Sequence, residues 1–379
     1  MLARRRPRRA KVRVARAVLR ELVLELKRHF ETGTGGTSAR RILLLTLEAE
    51  DLEGWSECVA AETPGYSYET TDTAWQVLTR WLLPDLPGRE VDDARQLHAA
   101  PWLRGHPMAR AAVEMAAWDL EAKRRNLPLR DLLGGAGEAV PVGVAIGIQK
   151  TDDALFRRIE QYLADGYRKI KVKIKPGRDV NMLRAVRERF PDAPLMADAN
   201  SSYALPEDLE LLATMDEFDL MMIEQPLSHE DLLDHAALQR SIATPVCLDE
   251  SVRSVGDARL ALHLGSGRIV NVKPGRVGGL ASAVAIHDAC RAAGWPVWCG
   301  GMLETGIGRA HNVALATLPG FVLPGDISNS GRYWKEDIVV PEFAMTDGLM
   351  PVPEGAGIGV APRRNRIEAL TTRMRVFES

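Results

Sequence analysis

Residues 168–177 have the sequence RKIKVKIKPG, which is the most informative stretch of the chain for its fold. Lysines occupy every second position, at 169, 171, 173 and 175, with apolar residues between them. Because successive side chains of a β-strand point to opposite faces, the four lysines share one face of the predicted strand. A row of ammonium groups inside a sheet requires carboxylates, a ligand or water beside it. We therefore expect the neighbouring strands to supply such partners.

Similar stretches recur through the middle of the chain. Short apolar runs alternate there with amphipathic helical segments such as 179–190 and 279–294. The runs are residues 139–148, 168–174, 193–200, 220–226, 244–251, 268–274 and 296–302. Strands that alternate with helices are typical of parallel βαβ units with the helices on the outside.

The last polar residues of five successive runs repeat at a nearly constant interval. They are Lys173, Asp198, Glu224, Asp249 and Lys273, separated by 25, 26, 25 and 24 residues. An open doubly wound sheet has a similar repeat, but it gathers its ligands at one switch point. A closed barrel directs the C-terminal end of every strand to one mouth, where TIM-barrel catalysis takes place. The pattern therefore predicts an α/β fold, a (β/α)7β TIM-like barrel over residues 138–325.

The flanks of this barrel differ from it in pattern. Residues 21–50 are typical of two strands around a Gly-rich loop, and residues 106–126 of a helix. After residue 325 the βα rhythm ends. We predict an α+β capping domain over 21–137, and a C-terminal segment over 326–379 that returns to it.

Residues 1–20 form the one strongly biased segment, with nine Arg and Lys residues before the first acid, Glu21. A nucleic-acid arm and an organelle presequence are two interpretations. A presequence normally mixes serine into an amphipathic helix, and this segment has neither. We predict a basic, disordered head.

The composition excludes several classes of function. The chain has 379 residues, 46% of them hydrophobic, enough for a sizeable core. The balance of 49 basic and 51 acidic residues argues against a nucleic-acid partner. No apolar run approaches the roughly 18 residues of a membrane span. The four cysteines lack metal-finger spacing and suit a reducing compartment, so we expect a cytoplasmic protein with no membrane partner; they are Cys58, Cys247, Cys290 and Cys299.

Asp198, Glu224 and Asp249 end three consecutive predicted strands and should converge at the barrel mouth. Three carboxylates without accompanying Cys or His suit a hard cation, Mg²⁺ before Mn²⁺ or another divalent ion. A single acid at a strand end could simply cap the next helix. Three on adjacent strands, with a lysine-bearing strand on either side, favour a metal site.

Two of the lysines, Lys173 and Lys273, would then face each other across the cation. This arrangement suits removal of a proton α to a carboxylate, because the metal stabilises the charge on the carboxylate oxygens while a lysine takes the proton. Lys171 would lie one inward position below Lys173. Lys169 and Lys175 are expected at frayed strand ends, salt-bridged or with their ammonium groups in solvent.

These residues resemble the enolase superfamily, in its muconate-lactonizing-enzyme-like subgroup. The tripeptide KVK at 171–173 resembles its KxK motif, and Lys273 in NVKPGRVGG resembles its second lysine. The three acids, in DAN, EQP and LDES, match its metal ligands. The stretches VWCGGMLETGIGRAHN, VNVKPGRVGG and LPGD are most similar to o-succinylbenzoate synthases that also act as N-succinylamino acid racemases.

The resemblance implies a Mg²⁺-dependent lyase of menaquinone biosynthesis that dehydrates a 2-succinyl-6-hydroxy-cyclohexadiene-carboxylate to o-succinylbenzoate. Lys173 would remove the α-proton and Lys273 would stabilise the enolate from the opposite face, with Lys171 as an electrostatic helper. In racemisation the two lysines would act as base and acid. It also implies that five further residues lie beside the ligands or the substrate: Asn200, Glu250, Arg276, Gly300 and Met302.

Several alternatives remain open at this stage. Racemisation of N-succinyl or N-acylamino acids could be the main activity, and a muconate-type cycloisomerase or a dipeptide epimerase could use the same site. Dipeptide epimerases usually carry DxD at the eighth strand, where this chain has Asp326-Ile327-Ser328. Arg276 is typical of members that racemise, but it could equally be a surface arginine.

A catalytically inactive barrel that binds a partner through its basic head is a further reading. The intact set of two lysines and three acids argues against it. We expect a homo-oligomer that acts on a small-molecule carboxylate.

Overall fold

A computed structural model describes residues 12–32, 35–91, 93–98 and 102–378. Of the predicted basic head, residues 1–11 lie outside the described residues. Residues 12–20 do not form a disordered head, because they contribute two β-strands that begin at Val12 and Arg16. Among the described residues no helix combines the length and the apolar character needed to cross a membrane.

The N-terminal part of the chain forms one long hairpin, several short elements and one long helix. In chain order these are β1 (Val12–Arg13), β2 (Arg16–Thr32), β3 (Gly35–Ala49), β4 (Leu52–Cys58), α1 (Thr71–Val77), a π-helical turn (Leu78–Leu82), β5 (Glu90–Val91), a 3-10 turn (Ala94–His98), α2 (Pro107–Arg124) and α3 (Leu129–Leu133).

Strands and helices then alternate, as the sequence pattern predicts. They are β6 (Ala139–Pro141), β7 (Val144–Ile146), α4 (Asp152–Ala164), β8 (Ile170–Lys173), α5 (Val180–Arg189), β9 (Leu195–Asp198), α6 (Leu209–Ala213), a 3-10 turn (Thr214–Phe218), β10 (Ile223–Glu224), α7 (Leu233–Ser241), β11 (Val246–Leu248), α8 (Val255–Leu264), β12 (Ile269–Val272), α9 (Leu280–Ala292), β13 (Val297–Cys299) and α10 (Gly306–Leu315).

The C-terminal part returns to short, irregular elements. They are α11 (Ser330–Tyr333), β14 (Val339–Val340), β15 (Leu349–Pro351), β16 (Ala361–Pro362), α12 (Arg364–Leu370) and β17 (Thr371–Glu378). The last strand pairs antiparallel with β2, so the end of the chain joins the sheet formed by its beginning.

The cap is a four-stranded antiparallel sheet in the order β17, β2, β3, β4, with helix α2 packed against it. Leu43, Leu44 and Leu45 of β3 are buried, as expected for a strand covered on both faces. Gly54 of β4 lets the helix approach closely, because a Cβ there would lie 2.1 Å from the carbonyl oxygen of Ala116. The cap therefore holds α2 by direct backbone contact.

The barrel is a parallel sheet of seven strands in sequential order from β7 to β13. The segment 320–326 closes it between β13 and β7. Asp326 donates its N–H to the carbonyl of Cys299, and Gly143 donates its N–H to the carbonyl of Gly325, at 2.9 and 2.7 Å. This closing segment occupies the eighth strand position, so the predicted (β/α)7β architecture is confirmed.

The register of the strands fixes which side chains enter the barrel. Lys171 pairs with Met196, and Lys173 pairs with Asp198. Lys171 also contacts Glu224, which lies two strands away. It also forms an ion pair with Asp326 of the closing segment, and both Lys171 and Glu224 are buried. The lysine-bearing face of β8 is therefore the interior of the barrel.

Candidate active site

The five periodic residues lie at the C-terminal ends of five consecutive strands. Lys173, Asp198 and Glu224 are the last residues of β8, β9 and β10. Asp249 and Lys273 directly follow β11 and β12. Because these strands are parallel and in register, the five side chains point into one mouth. The three carboxylates are at most 2% exposed, so their charges need partners inside the protein.

Each of these carboxylates is bound by a lysine. Nζ of Lys173 lies 2.6 Å from Oδ2 of Asp198, and Nζ of Lys273 lies 2.8 Å from Oδ2 of Asp249. Nζ of Lys171 lies 2.9 Å from Oε2 of Glu224. The structure thus brings all six predicted residues together, and the lysine row of β8 lies opposite the acids that it requires.

The acids are suited to a divalent cation by their chemistry. Their donor atoms are all oxygens, which hard cations prefer. Burial alone would raise the pKa of Asp198. The ammonium groups of Lys173 and Lys171 outweigh this effect and hold the pKa of Asp198 well below its usual range. Asp198 is therefore ionised, as a metal ligand must be. Beside it, the buried Oε2 of Glu250 has no hydrogen-bond donor among the residues that the structure describes.

Lysine ammonium groups form ion pairs with the same carboxylate oxygens that a cation would bind. In the described part of the chain, no three His, Cys, Asp or Glu side chains already stand in a metal-binding arrangement. The ion pairs made by Lys173 and Lys273 explain this, because each ammonium lies within 2.8 Å of an acid oxygen. Cation binding and these ion pairs would therefore compete for the same atoms.

Asn200 lies between Lys173 and Glu250 and contacts both. Asn200 accepts a hydrogen bond from Lys173 Nζ at 2.6 Å and donates one to Oε1 of Glu250 at 3.1 Å. Its own N–H donates to Oδ1 of Asp198. Burial raises the pKa of Glu250 above its ordinary value, and the negative charge of Asp198 adds to this shift. Both residues lie beside the three acids, as the sequence predicts.

Arg276 is 2% exposed, so it is not a surface arginine. Its Nη1 forms an ion pair with Oδ1 of Asp249, and its Nε donates to the carbonyl of Val252 at 2.9 Å. Asp249 is therefore held between Arg276 and Lys273. Of the two interpretations that the sequence leaves open, the surface arginine is wrong, because Arg276 is buried beside Asp249.

The two predicted residues after β13 have different surroundings. A Cβ at Gly300 would lie 2.5 Å from Cε of Lys273, so Gly300 forms the wall against which Lys273 packs. Met302 is instead held by its main chain, which donates to Glu304 and accepts from Arg40. These contacts lie outside the lysine and acid group.

Sequence reasoning missed two residues of the site. Tyr66, in the cap segment between β4 and α1, donates a hydrogen bond to Asp249 and accepts one from Lys273, at 3.0 and 3.1 Å. Asn271 donates to Oε1 of Glu224 at 2.7 Å. Asn271 could have been found, because it lies one inward position before Lys273. Tyr66 lies in a loop without periodicity, and only its place after the Pro-Gly pair at 64–65 is a local signal.

Lys169 also differs from expectation. It is not at a frayed end in solvent, because its side chain is fully buried. Its Nζ lies 3.1 Å from Oδ1 of Asp326 and 3.4 Å from the centre of the Trp298 ring. Lys175, in contrast, is exposed as expected. The barrel interior therefore contains a second layer of charge beneath the acids.

Two family models together match most of the chain. The model of the enolase C-terminal domain-like family matches residues 154–366, and the model of the mandelate racemase / muconate lactonizing enzyme N-terminal domain matches residues 16–134.

An o-succinylbenzoate synthase of Geobacillus kaustophilus is 50% identical over 370 residues, which is 97% of this chain and 98% of the relative. An N-succinylamino acid racemase of Thermus thermophilus is 50% identical over 362 residues, 95% and 98% of the two chains. A crystal structure of an enolase superfamily member from Listeria innocua superposes with a TM-score of 0.93 at 40% identity, covering 97% of this chain and 99% of that one.

Proposed function

The chain belongs to the enolase superfamily, in its mandelate racemase / muconate lactonizing enzyme family, and from this premise we propose that it is an o-succinylbenzoate synthase. Its substrate would be a 2-succinyl-6-hydroxy-cyclohexadiene-carboxylate, which it would dehydrate in menaquinone biosynthesis. The observation that carries the proposal is that Lys173 and Lys273, on non-adjacent strands, bind different acids of one trio. Two o-succinylbenzoate synthases, 50% and 49% identical to this chain over 97% of its length, support the proposal.

Enzymes of this superfamily use a divalent metal ion, and we propose Mg²⁺ for this chain. Asp198, Glu224 and Asp249 would hold it. When bound, the ion would stabilise negative charge on the substrate carboxylate.

The side chains of the protein would carry the proton. Lys173, in its neutral form, would take the α-proton at Nζ and then return a proton to the departing hydroxyl on the same face. Lys273 would remain an ammonium group and stabilise the negative charge from the other side. Asn200 would orient Lys173, to which its side-chain oxygen lies at 2.6 Å. Tyr66 would orient Lys273.

Racemisation of N-succinylamino acids is the second candidate activity. Two observations favour it: Arg276, which resembles the arginine typical of members that racemise, is buried against Asp249, and the similar protein of Thermus thermophilus is an N-succinylamino acid racemase. Both reactions begin with removal of a proton α to a carboxylate, so one site can perform both. The lysines would then exchange roles, one acting as base while the other acts as acid. We also propose that the protein works in the cytoplasm as a homo-oligomer.

One experiment tests these proposals together. Purified protein with Mg²⁺ in D₂O is given the cyclohexadiene carboxylate, and in a second sample the two enantiomers of an N-succinylamino acid. Dehydration of the first, followed by absorbance, would support the synthase. Deuterium incorporation and racemisation of the second, followed by NMR and chiral chromatography, would support the racemase. If neither compound is converted or deuterated, the substrate assignment is wrong.

A further inference from the structure

A second charged layer lies inside the barrel below the three acids. Lys169 lies in a slot between three neighbours: Asp326, the face of the Trp298 ring, and Gly143, which directly precedes β7. A Cβ at Gly143 would lie 2.6 Å from Cε of Lys169, so glycine is what leaves room for the lysine. A fully buried ammonium requires a compensating charge, and Asp326 supplies it.

Asp326 binds two lysines at once. Its Oδ1 lies 3.1 Å from Nζ of Lys169, and its Oδ2 lies 2.7 Å from Nζ of Lys171. Asp326 comes from the closing segment, where its N–H is fixed to the carbonyl of Cys299. The carboxylate therefore has a fixed backbone position from which it holds Lys171.

Lys171, which Asp326 holds, contacts two of the three acids. Its Nζ lies 2.9 Å from Oε2 of Glu224 and 3.3 Å from Oδ2 of Asp198. That same oxygen of Asp198 is the one bound by Lys173 at 2.6 Å. A continuous chain of ion pairs thus runs from Asp326 through Lys171 and Asp198 to Lys173.

The other lysine of the site has a separate set of partners. Nζ of Lys273 contacts Asp249 at 2.8 Å and Tyr66 at 3.1 Å. Neither of these residues belongs to the chain of ion pairs that begins at Asp326. The groups that bind Lys273 directly are therefore different from those that bind Lys173 directly.

We propose that Asp326 is a positioning residue for one face of the site: it holds Lys171 in place, and through Lys171 it orients Asp198 and Lys173. The competing explanation is that Asp326 only neutralises the buried charge of Lys169. The inference deepens the proposed function, because the two-face chemistry belongs to that proposal.

Two variants separate these explanations. Asp326→Asn removes the charge that holds both lysines. The double variant Lys169→Met with Asp326→Asn removes one charge of each sign and keeps an unbranched side chain against Trp298. It can be tested in place of the single variant if Asp326→Asn alone does not fold. If Asp326 only neutralises Lys169, the double variant behaves as wild type. If Asp326 positions Lys171, the defect persists.

The first readout is a crystal structure of the double variant beside the wild-type protein. We expect Nζ of Lys171, and with it the carboxylate of Asp198, to shift by about 1 Å, which is enough to impair chemistry. Unchanged positions of Lys171, Asp198 and Lys173 would overturn the inference. This readout does not depend on any substrate.

The second readout is α-proton exchange in D₂O with each enantiomer of an N-succinylamino acid. One enantiomer presents its proton to Lys173 and the other to Lys273. We expect both Asp326 variants to lose about 10- to 100-fold more exchange for the Lys173 enantiomer than for the other, the usual effect of removing a supporting group, because a displaced Asp198 affects both enantiomers whereas a displaced Lys173 affects only one. Equal losses for both enantiomers would overturn the inference. If the wild type exchanges neither, the proposed racemisation fails and the crystal structures decide the inference.

A matched control is Asp119→Asn. Asp119 is also fully buried and ion-paired, to Lys123 at 2.7 Å, but it lies in the cap on α2. Any destabilisation that it causes should lower exchange equally for the two enantiomers. A change in their ratio in this control, as large as in Asp326→Asn, would contradict face-specific positioning.

Discussion

The hydroxyl oxygen of Tyr66 lies 3.1 Å from Nζ of Lys273, so a residue of the cap directly contacts a lysine of the barrel. The same oxygen is 3.0 Å from Oδ1 of Asp249 and 3.2 Å from Nη1 of Arg276. A phenol can donate one hydrogen bond and accept two, and these three partners use that capacity fully. The cap therefore completes the site in addition to covering it.

Tyr66→Phe should lower the rate of the proposed dehydration by about 10- to 100-fold, because two buried cations lose a shared acceptor. The ring and its packing remain, so stability should change little. The measurement is kcat at saturating Mg²⁺. Tyr68→Phe is the matched control, since Tyr68 is 62% exposed and its hydroxyl contacts His229 outside the acid group. Equal rates for the two variants would argue against a role for Tyr66.

Lys173→Ala should abolish both reactions, with a loss of about 100-fold or more, because the proposed proton acceptor is gone. Its affinity for the divalent ion should be retained or increased, since the ammonium that lies 2.6 Å from Asp198 no longer competes for that oxygen. Isothermal titration with Mg²⁺ and turnover assays check the two parts. Substantial activity in this variant would remove Lys173 from its role.

Gly300→Ala should inactivate the enzyme while the fold persists. The added Cβ would lie 2.5 Å from Cε of Lys273 and 2.3 Å from Oδ1 of Asn271, so Lys273 must leave its place beside Asp249. Gly256→Ala is the control, because its Cβ would meet nothing nearer than Ser254 Oγ at 3.4 Å. Turnover and thermal unfolding of both variants test this expectation. Wild-type turnover in Gly300→Ala would mean that Lys273 does not need its present position.

Glu57 should make the stability of the protein depend on pH. Burial raises the pKa of Glu57 from 4.5 to about 7, and the nearby Glu304 adds to this. The native state therefore holds the proton up to a higher pH than the unfolded chain does. The contribution of this group to the unfolding free energy is full below pH 4.5 and is lost as the pH rises through about 7.

Glu57→Gln should remove this part of the pH dependence, roughly 3 kcal/mol between those limits. The amide is neutral at every pH and keeps an oxygen that can accept from Thr305, as Oε2 of Glu57 does. Urea unfolding at pH 5 and pH 8 measures the effect. The exposed Glu207→Gln serves as control. An unchanged slope in Glu57→Gln would show that Glu57 is ionised in the native protein throughout.

The sequence predicted those parts of the site that follow the strand repeat. Lys173, Asp198 and Glu224 could be placed because parallel strands bring every twenty-fifth residue or so to the same mouth. Lys169 was misjudged because its partner Asp326 lies on the closing segment, far along the chain. No local sequence pattern indicates that this segment will lie beside Lys169, which directly precedes β8.

Contacts that depend on how the cap docks could not be predicted either. Tyr66 reaches Asp249 only because the cap sits on the barrel mouth, and this depends on tertiary packing. The predicted basic head, residues 1–20, is too long for a related reason. Arg16 lies in a run of basic residues, but it pairs with Glu48 on the neighbouring strand at 3.1 Å. That partner is visible only once the hairpin has formed.

The most direct measurement is a crystal structure of the protein grown with Mg²⁺. We predict one ion bound by oxygens of Asp198, Glu224 and Asp249, with the amines of Lys173 and Lys273 on opposite sides of the substrate space above it. An ion bound elsewhere, or both amines on the same side, would contradict the account.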